Sequence, residues 1–129
     1  MWERGVAQEK MAGFIASFGD RIECVISNND EMALGAIEAL KAVGQFSGGR
    51  FVPVVGVDAT PAALEALSEG TLLGTVLNDA EGQGDAALTL ALMLSSGESL
   101  DDFPYEIDRG KYVWIPSKIV TRETQAGGL

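Results

Sequence analysis

The stretch from Phe51 to Asp79, FVPVVGVDATPAALEALSEGTLLGTVLND, decides how this chain folds. Val52 to Val57 is a β-branched run that closes on Asp58, and Leu72 to Leu77 is a second apolar run that closes on Asn78 and Asp79. Between them Thr60-Pro61 offers an N-cap followed by proline at the first helical position, where its missing N–H costs nothing, and Gly70 ends the helix. Upstream, Glu23 to Ser27 repeats the device and closes on Asn28-Asn29-Asp30. Apolar runs too short for helices, with helix-period segments between them, predict βαβ units and a parallel sheet in an α/β fold. Right-handed crossovers put the three strand ends on one edge, where open α/β sheets bind their ligands. Asn29, Asp58 and Asn78 are therefore expected to converge on one crevice.

The remaining segments fit around this unit. Val6, Ala7, Met11, Phe14, Ile15 and Phe18 recur at threes and fours, which predicts a helix over Glu3 to Phe18 broken by Gly19-Asp20. Asn28 and Glu31 have the spacing of a capping box for the next helix, which is expected to run to Val43 and stop at Gly44. Gly84 to Ser96 is apolar on more than one face and needs cover on most of its circumference. Lys111 to Ile115 reads as the last strand, and Thr121 to Leu129 as a frayed tail. The asparagines carry two readings. Asn28, Asn29 and Asn78 (with Glu81 three residues on) could each cap a helix, whereas Asp58 stands two residues ahead of its helix cap and capping does not explain it.

The 129 residues are one domain's worth of chain. Nine Lys and Arg against nineteen Asp and Glu give a net charge of −10, which disfavours nucleic acid or anionic lipid as a partner. The single Cys24 excludes an internal disulfide, and its place in an apolar run predicts a small buried hydrophobe. With no histidine, the common zinc sites and most nucleophile–base pairs are excluded. Asp58 and Asp79 have no companion nucleophile, base or metal set, so an enzyme is not expected and no cofactor is implied. No apolar run is long enough to span a bilayer, and the opening MWERGVAQEKMAGF lacks the apolar core of a signal peptide.

The strings NNDEMALGAIEALKAVG and VPVVGVDATPAALEALSEGTLLGTVLND resemble the periplasmic galactose/glucose-binding proteins of ABC sugar uptake and chemotaxis. The resemblance spans essentially the whole chain and rests on the combination of NND, GVDA.P.AL and GT.LND. It implies a three-layer, Rossmann-like lobe of the periplasmic-binding-protein type, of which residues 1–129 are the incomplete C-terminal part and residues 80–97 the helix that crosses between lobes. It also implies a parent protein that is periplasmic, extracellular or lipid-anchored, with a monosaccharide ligand and a membrane permease as partner.

Four positions match the family's sugar contacts: Trp2 as the stacking indole, and Asn29, Asp58 and Asn78 as hydroxyl-binding groups. Glu23 matches a carboxylate that the family gives to a bound calcium, but the acidic loop that would complete that site is absent from this chain. The chemistry is consistent in itself. A carboxylate accepts two strong hydrogen bonds from neighbouring hydroxyls, an asparagine donates and accepts, and an indole covers the C–H face of a pyranose. For Trp2 the plainer reading is a chain end packing on nearby apolar surface. The NDxMAxGA string is shared with repressors of the lactose-repressor type, so an effector-binding domain is the alternative function. Part of the expected sheet and the facing lobe are missing, so the isolated chain is expected to bind sugar weakly and to self-associate through the apolar 86–94 helix.

Overall fold

The computed structural model describes residues 2–48 and 50–126. The chain divides into two compact units, one of residues 1–78 and 118–129 and the other of residues 79–117.

In the first unit, helix α1 (Arg4–Phe18) leads into strand β1 (Val25–Ile26), helix α2 (Asp30–Ala42), strand β2 (Val54–Val55), helix α3 (Pro61–Glu69) and strand β3 (Thr75–Leu77). Strand β6 (Lys118–Val120) and helix α5 (Arg122–Ala126) close it. β1 and β2 pair in parallel with Val25 opposite Val54. A parallel bridge from Val55 to Gly74, with Gly56 N–H donating to Gly74 O at 3.0 Å and Asp58 N–H to Val76 O at 2.8 Å, carries the ladder on to β3. The parallel order read from the sequence is therefore present. β6 was not anticipated: it lies antiparallel to β3, with Thr75 opposite Val120. Its KIV core is too short to stand out as a strand from sequence, and pairing with β3 supplies what propensity does not.

Caps account for the helix limits. Thr60 Oγ1 accepts from Ala63 N–H, Pro61 opens α3, and Gly70 ends it at φ 82°, a left-handed conformation that glycine adopts without steric cost. At α2 the cap is Asn29, whose Oδ1 accepts from Met32 N–H at 3.0 Å, and not Asn28. The helix starts one residue later than the Asn28–Glu31 spacing suggests, because Asp30 N–H is already engaged by Val57 O at 2.8 Å. The tail expected to fray instead forms α5 over Arg122–Ala126, and residues 127–129 lie outside the described residues. Arg122 donates from Nε to Leu67 O at 3.1 Å and from Nη2 to Ser68 O at 2.9 Å, so a cation satisfies carbonyls at the C-terminal end of α3.

The core of this unit joins Ile37 and Leu40 of α2, Leu67 of α3, Val54 and Val120. Burial of each such side chain is worth roughly 1.5–3 kcal/mol. By register Val25, Val54, Thr75 and Val120 share one sheet face, and Ile26, Val55, Val76 and Ile119 the other. The first face is covered. On the second, Ile26 is 80% and Ile119 73% exposed, so the third layer expected of this fold is not supplied by the described residues. Cys24 is exposed, against the expectation of burial, because β1 is an edge strand and, among the described residues, the apolar run that contains Cys24 has no strand on its outer side.

In the second unit helix α4 (Ala80–Ser96) starts four residues earlier than its apolar run suggests, because Asp79 caps it by accepting from Gly82 N–H at 2.9 Å. Asp79, and not Asn78, is thus the cap here. Strands β4 (Ile107–Asp108) and β5 (Tyr112–Val113) form a hairpin whose turn uses positive φ at Arg109 and Gly110. Ala86 and Met93 of α4 pack with Phe103, Ile107 and Val113, while Leu88, Leu92 and Leu94 stay exposed.

Gly35 fixes the seat of α1 on α2. A Cβ at Gly35 would overlap the Arg4 carbonyl oxygen, so glycine is what lets the two backbones approach. Gly35→Ala should therefore cost about 1–3 kcal/mol, as overpacking does when the neighbour is backbone. Gly13→Ala in α1, with open space around it, should be neutral or stabilising by up to about 1 kcal/mol. Urea unfolding of both variants checks this, and equal midpoints would contradict it.

Candidate functional site

The C-terminal ends of β1, β2 and β3 carry the three polar residues singled out from sequence. Asp30 N–H donates to Val57 O and Asp58 N–H to Val76 O, each at 2.8 Å, so the backbone around residues 29–30, 57–58 and 76–78 lies side by side on one sheet edge. Asn29 and Asp58 are half-buried and Asn78 is exposed. Asn29 both caps α2 and stands at this edge, its backbone held further by Ser27 Oγ donating to Asn29 O at 2.9 Å. Asp58 adopts φ 116° and Ala59 φ 56°, two consecutive non-glycine residues on the left-handed side.

Trp2 is 61% exposed and precedes α1. The start of α1 lies beside the start of α2: Arg4 donates from Nε and Nη2 to the two Glu31 carboxylate oxygens, both at 3.0 Å, and Gly35 abuts the Arg4 carbonyl. Since the start of α2 is at the strand-end edge, the beginning of the chain is directed to the same side of the unit. Glu23 is different. It precedes β1 whereas Asn29 follows it, so the two stand at opposite ends of that strand. Among the described residues no group of three or more His, Cys, Asp or Glu side chains could hold a metal ion. One carboxylate does not meet calcium's need for about six to eight oxygens, and these residues do not fit that ion.

The residue that sequence reading passed over is Asp30. It is 0% exposed. Its Oδ1 accepts from Thr75 Oγ1 at 2.7 Å and its Oδ2 from Thr60 N–H at 2.8 Å. Thr75 Oγ1 in turn accepts from Ala59 N–H at 3.3 Å. The absence of a side chain at Gly56 makes room for this carboxylate, since a Cβ there would overlap Asp30 Oδ1. Nothing adjacent to Asp30 in the sequence signals this network, since Thr60 and Thr75 lie thirty and forty-five residues on.

Each unit also carries a cavity. One of about 810 Å³ runs between α1 and the open edge of β1, lined by Val6, Met11, Phe14, Phe18, Ile22 and Ile26 among others. Most of its surface is apolar, with Glu3, Lys10, Arg21, Glu23, Ser27 and Asn28 also contributing. Another of about 610 Å³ in the second unit is lined by Asp79, Glu81, Asp85, Leu88 and Tyr105. There the Tyr105 hydroxyl donates to Asp85 Oδ2 at 2.8 Å, and that hydrogen bond to a carboxylate raises the phenol's pKa above its ordinary value.

Residues 1–99 match a family model described as periplasmic binding protein domain. The chain belongs to the periplasmic binding protein family. It is 46% identical over 100 residues to a D-galactose/methyl-galactoside binding periplasmic protein, MglB, of Haemophilus influenzae, covering 77% of this chain and 29% of that protein. It is 38% identical over 125 residues to a putative rhizopine-binding protein of Rhizobium meliloti, covering 97% of this chain and 37% of that one. Among solved structures, an ABC transporter solute binding protein of Bacillus halodurans with bound myo-inositol matches 98% of this chain and 39% of its own at a TM-score of 0.77 and 40% identity. The chain thus spans well under half the length of these periplasmic binding proteins, and its fold is theirs over that span, an incomplete lobe of the family's α/β architecture.

The Asp30 network generates a direct expectation. Asp30→Ala leaves the buried Thr75 hydroxyl and the part-buried Thr60 N–H without their acceptor, each at about 1–3 kcal/mol, for a loss of about 2–6 kcal/mol. Equilibrium urea denaturation measures it, and a loss under about 1 kcal/mol would show that the carboxylate is dispensable.

Proposed function

We propose that this chain is part of the sugar-binding component of an ABC importer, and that Asn29, Asp58 and Asn78, with Trp2, form its share of the ligand site. The observation that carries the reading is the hydrogen-bonded ladder that sets the three strand ends side by side on the sheet edge. The ligand class follows from two sources. The side chains suit a neutral polyol, with carboxylate and amide groups for paired hydroxyls and an indole for a C–H face. One relative is named for binding galactose and another is solved with myo-inositol, both rings rich in hydroxyls, and a third is named for rhizopine. Glucose or galactose is the narrower reading, favoured by the similarity to the galactoside-binding relative. The same relatives favour transport over gene regulation and binding over catalysis. They also support a periplasmic parent with an ABC transporter permease as its partner, while an extracellular or lipid-anchored parent and a chemoreceptor as a further partner rest on the sequence resemblance alone.

One expectation concerns affinity. Sugar sites of this kind gain strength from enclosure, which buries the ring and desolvates its hydrogen bonds. The first unit alone offers an open edge, so D-galactose, D-glucose and myo-inositol should bind the isolated chain more weakly than about 1 mM, equivalent to roughly −4 kcal/mol. In a ¹⁵N NMR titration the largest shifts should fall on residues around Asn29, Asp58 and Asn78. Shifts confined to the apolar groove or to the second unit would overturn the site, and micromolar binding by calorimetry would contradict the half-site.

The other concerns assembly. Leu88, Leu92 and Leu94 of α4 are exposed, and so are Ile26 and Ile119 on the sheet. With this much apolar surface in water the isolated chain should associate with a second copy, against the repulsion of its net charge of −10. Added salt, which screens that repulsion, should increase the association. Light scattering over a dilution series checks this, and a monomer at high micromolar concentration would refute it.

A further inference from the structure

We propose that Asp30 and Thr75 are positioning residues for Asp58, holding the turn after β2 in the left-handed backbone on which Asp58 meets its ligand. The inference rests on the reading of Asp58 as a sugar contact, but its geometry stands apart from that reading.

Asp58 and Ala59 follow one another at φ 116° and 56°. Glycine is the residue that takes such angles without steric penalty, and neither position has it. For alanine no side-chain hydrogen bond offsets the penalty, so the surrounding structure must impose the conformation. What imposes it is visible in three successive amides. Asp58 N–H donates to Val76 O at 2.8 Å, Ala59 N–H to Thr75 Oγ1 at 3.3 Å, and Thr60 N–H to Asp30 Oδ2 at 2.8 Å.

In an extended chain neighbouring amides point to opposite sides. Here the amides of Asp58 and Ala59 are both accepted by β3, one by its backbone and one by a side chain, and the third by the first residue of α2. That reversal of the alternation is what the positive φ values produce. Thr75 is the joint of the arrangement, since its Oγ1 accepts from Ala59 and donates to Asp30 Oδ1 at 2.7 Å. Thr75 and Asp30 are both buried, so water does not substitute easily for either.

The functional logic is pre-organisation. A carboxylate that must meet two hydroxyls gains affinity when its backbone is fixed before the ligand arrives. Glycine would relax the turn but would remove the carboxylate, so strain and ligand group occupy the same residue.

The test is NMR spectroscopy of the ¹⁵N,¹³C-labelled chain. Asp58 should show the positive-φ signature of a small HN–Hα coupling with a strong intraresidue HN–Hα cross-peak. Thr75→Val keeps the shape but removes the hydroxyl, and should abolish that signature while the amides of Val25 and Ser27, bonded to Pro53 O and Val55 O, stay protected from exchange. Thr75→Ser should restore it. Persistence of the signature in folded Thr75→Val would overturn the proposal.

If Thr75→Val does not fold, Asp58→Gly in the otherwise unaltered chain decides. A higher urea midpoint supports imposed strain, and an unchanged or lower one refutes it. Loss of the signature in Thr75→Val, combined with no effect of D-galactose on Asp58 in the unaltered chain, would support the positioning and remove only the sugar reading.

Discussion

A buried carboxylate ties the first unit together. Asp30 begins α2, and its two oxygens reach a hydroxyl on β3 and an amide at the start of α3, while its own amide meets the end of β2. The start of α2, the β2–α3 turn and β3, separated by up to forty-five residues, are thereby held at one point on the sheet edge. An acid buried without partners would be strongly unfavourable, so the arrangement holds only when each partner is in place. That makes Asp30 a condition on the fold as much as a contribution to it. Gly56 belongs to the same condition, because the carboxylate occupies the space that any side chain there would need.

Much of this was legible because local chemistry and tertiary structure agree. Thr60-Pro61 and Gly70 bracket α3 as their own conformational preferences dictate, and Gly44 follows α2 at φ 83°. The parallel order of β1, β2 and β3 followed from apolar runs of the right length with helices between them. Where reading and structure part, a distant partner decides. Asn28 and Asn29 are equally good caps in isolation, and the amide of Asp30 is drawn to Val57, which selects Asn29. β6 exists because β3 offers it an edge, and α5 because Arg122 finds the carbonyls at the end of α3. Cys24 lies in an apolar run, yet the strand it precedes is an edge strand.

The candidate site divides along the same line. Asn29, Asp58 and Asn78 could be named because each follows a strand, and position along a strand is a local property. The role of Asp30 could not be read, because nothing near it in sequence announces Thr75, forty-five residues on. Trp2 is intermediate. The helix it precedes is placed by the Arg4–Glu31 pair and by Gly35, which are contacts between two helices and not features of the segment around Trp2.

The close approach at Gly35 has a mechanical side. Two helices whose backbones touch, with a bidentate ion pair near their N-terminal ends, form a stiff lever rather than two independent cylinders. Trp2 sits just ahead of one arm and Asn29 caps the other. A motion that swings this lever carries the starts of both helices as one piece, so the segment that Trp2 opens and the cap at Asn29 move in concert rather than independently.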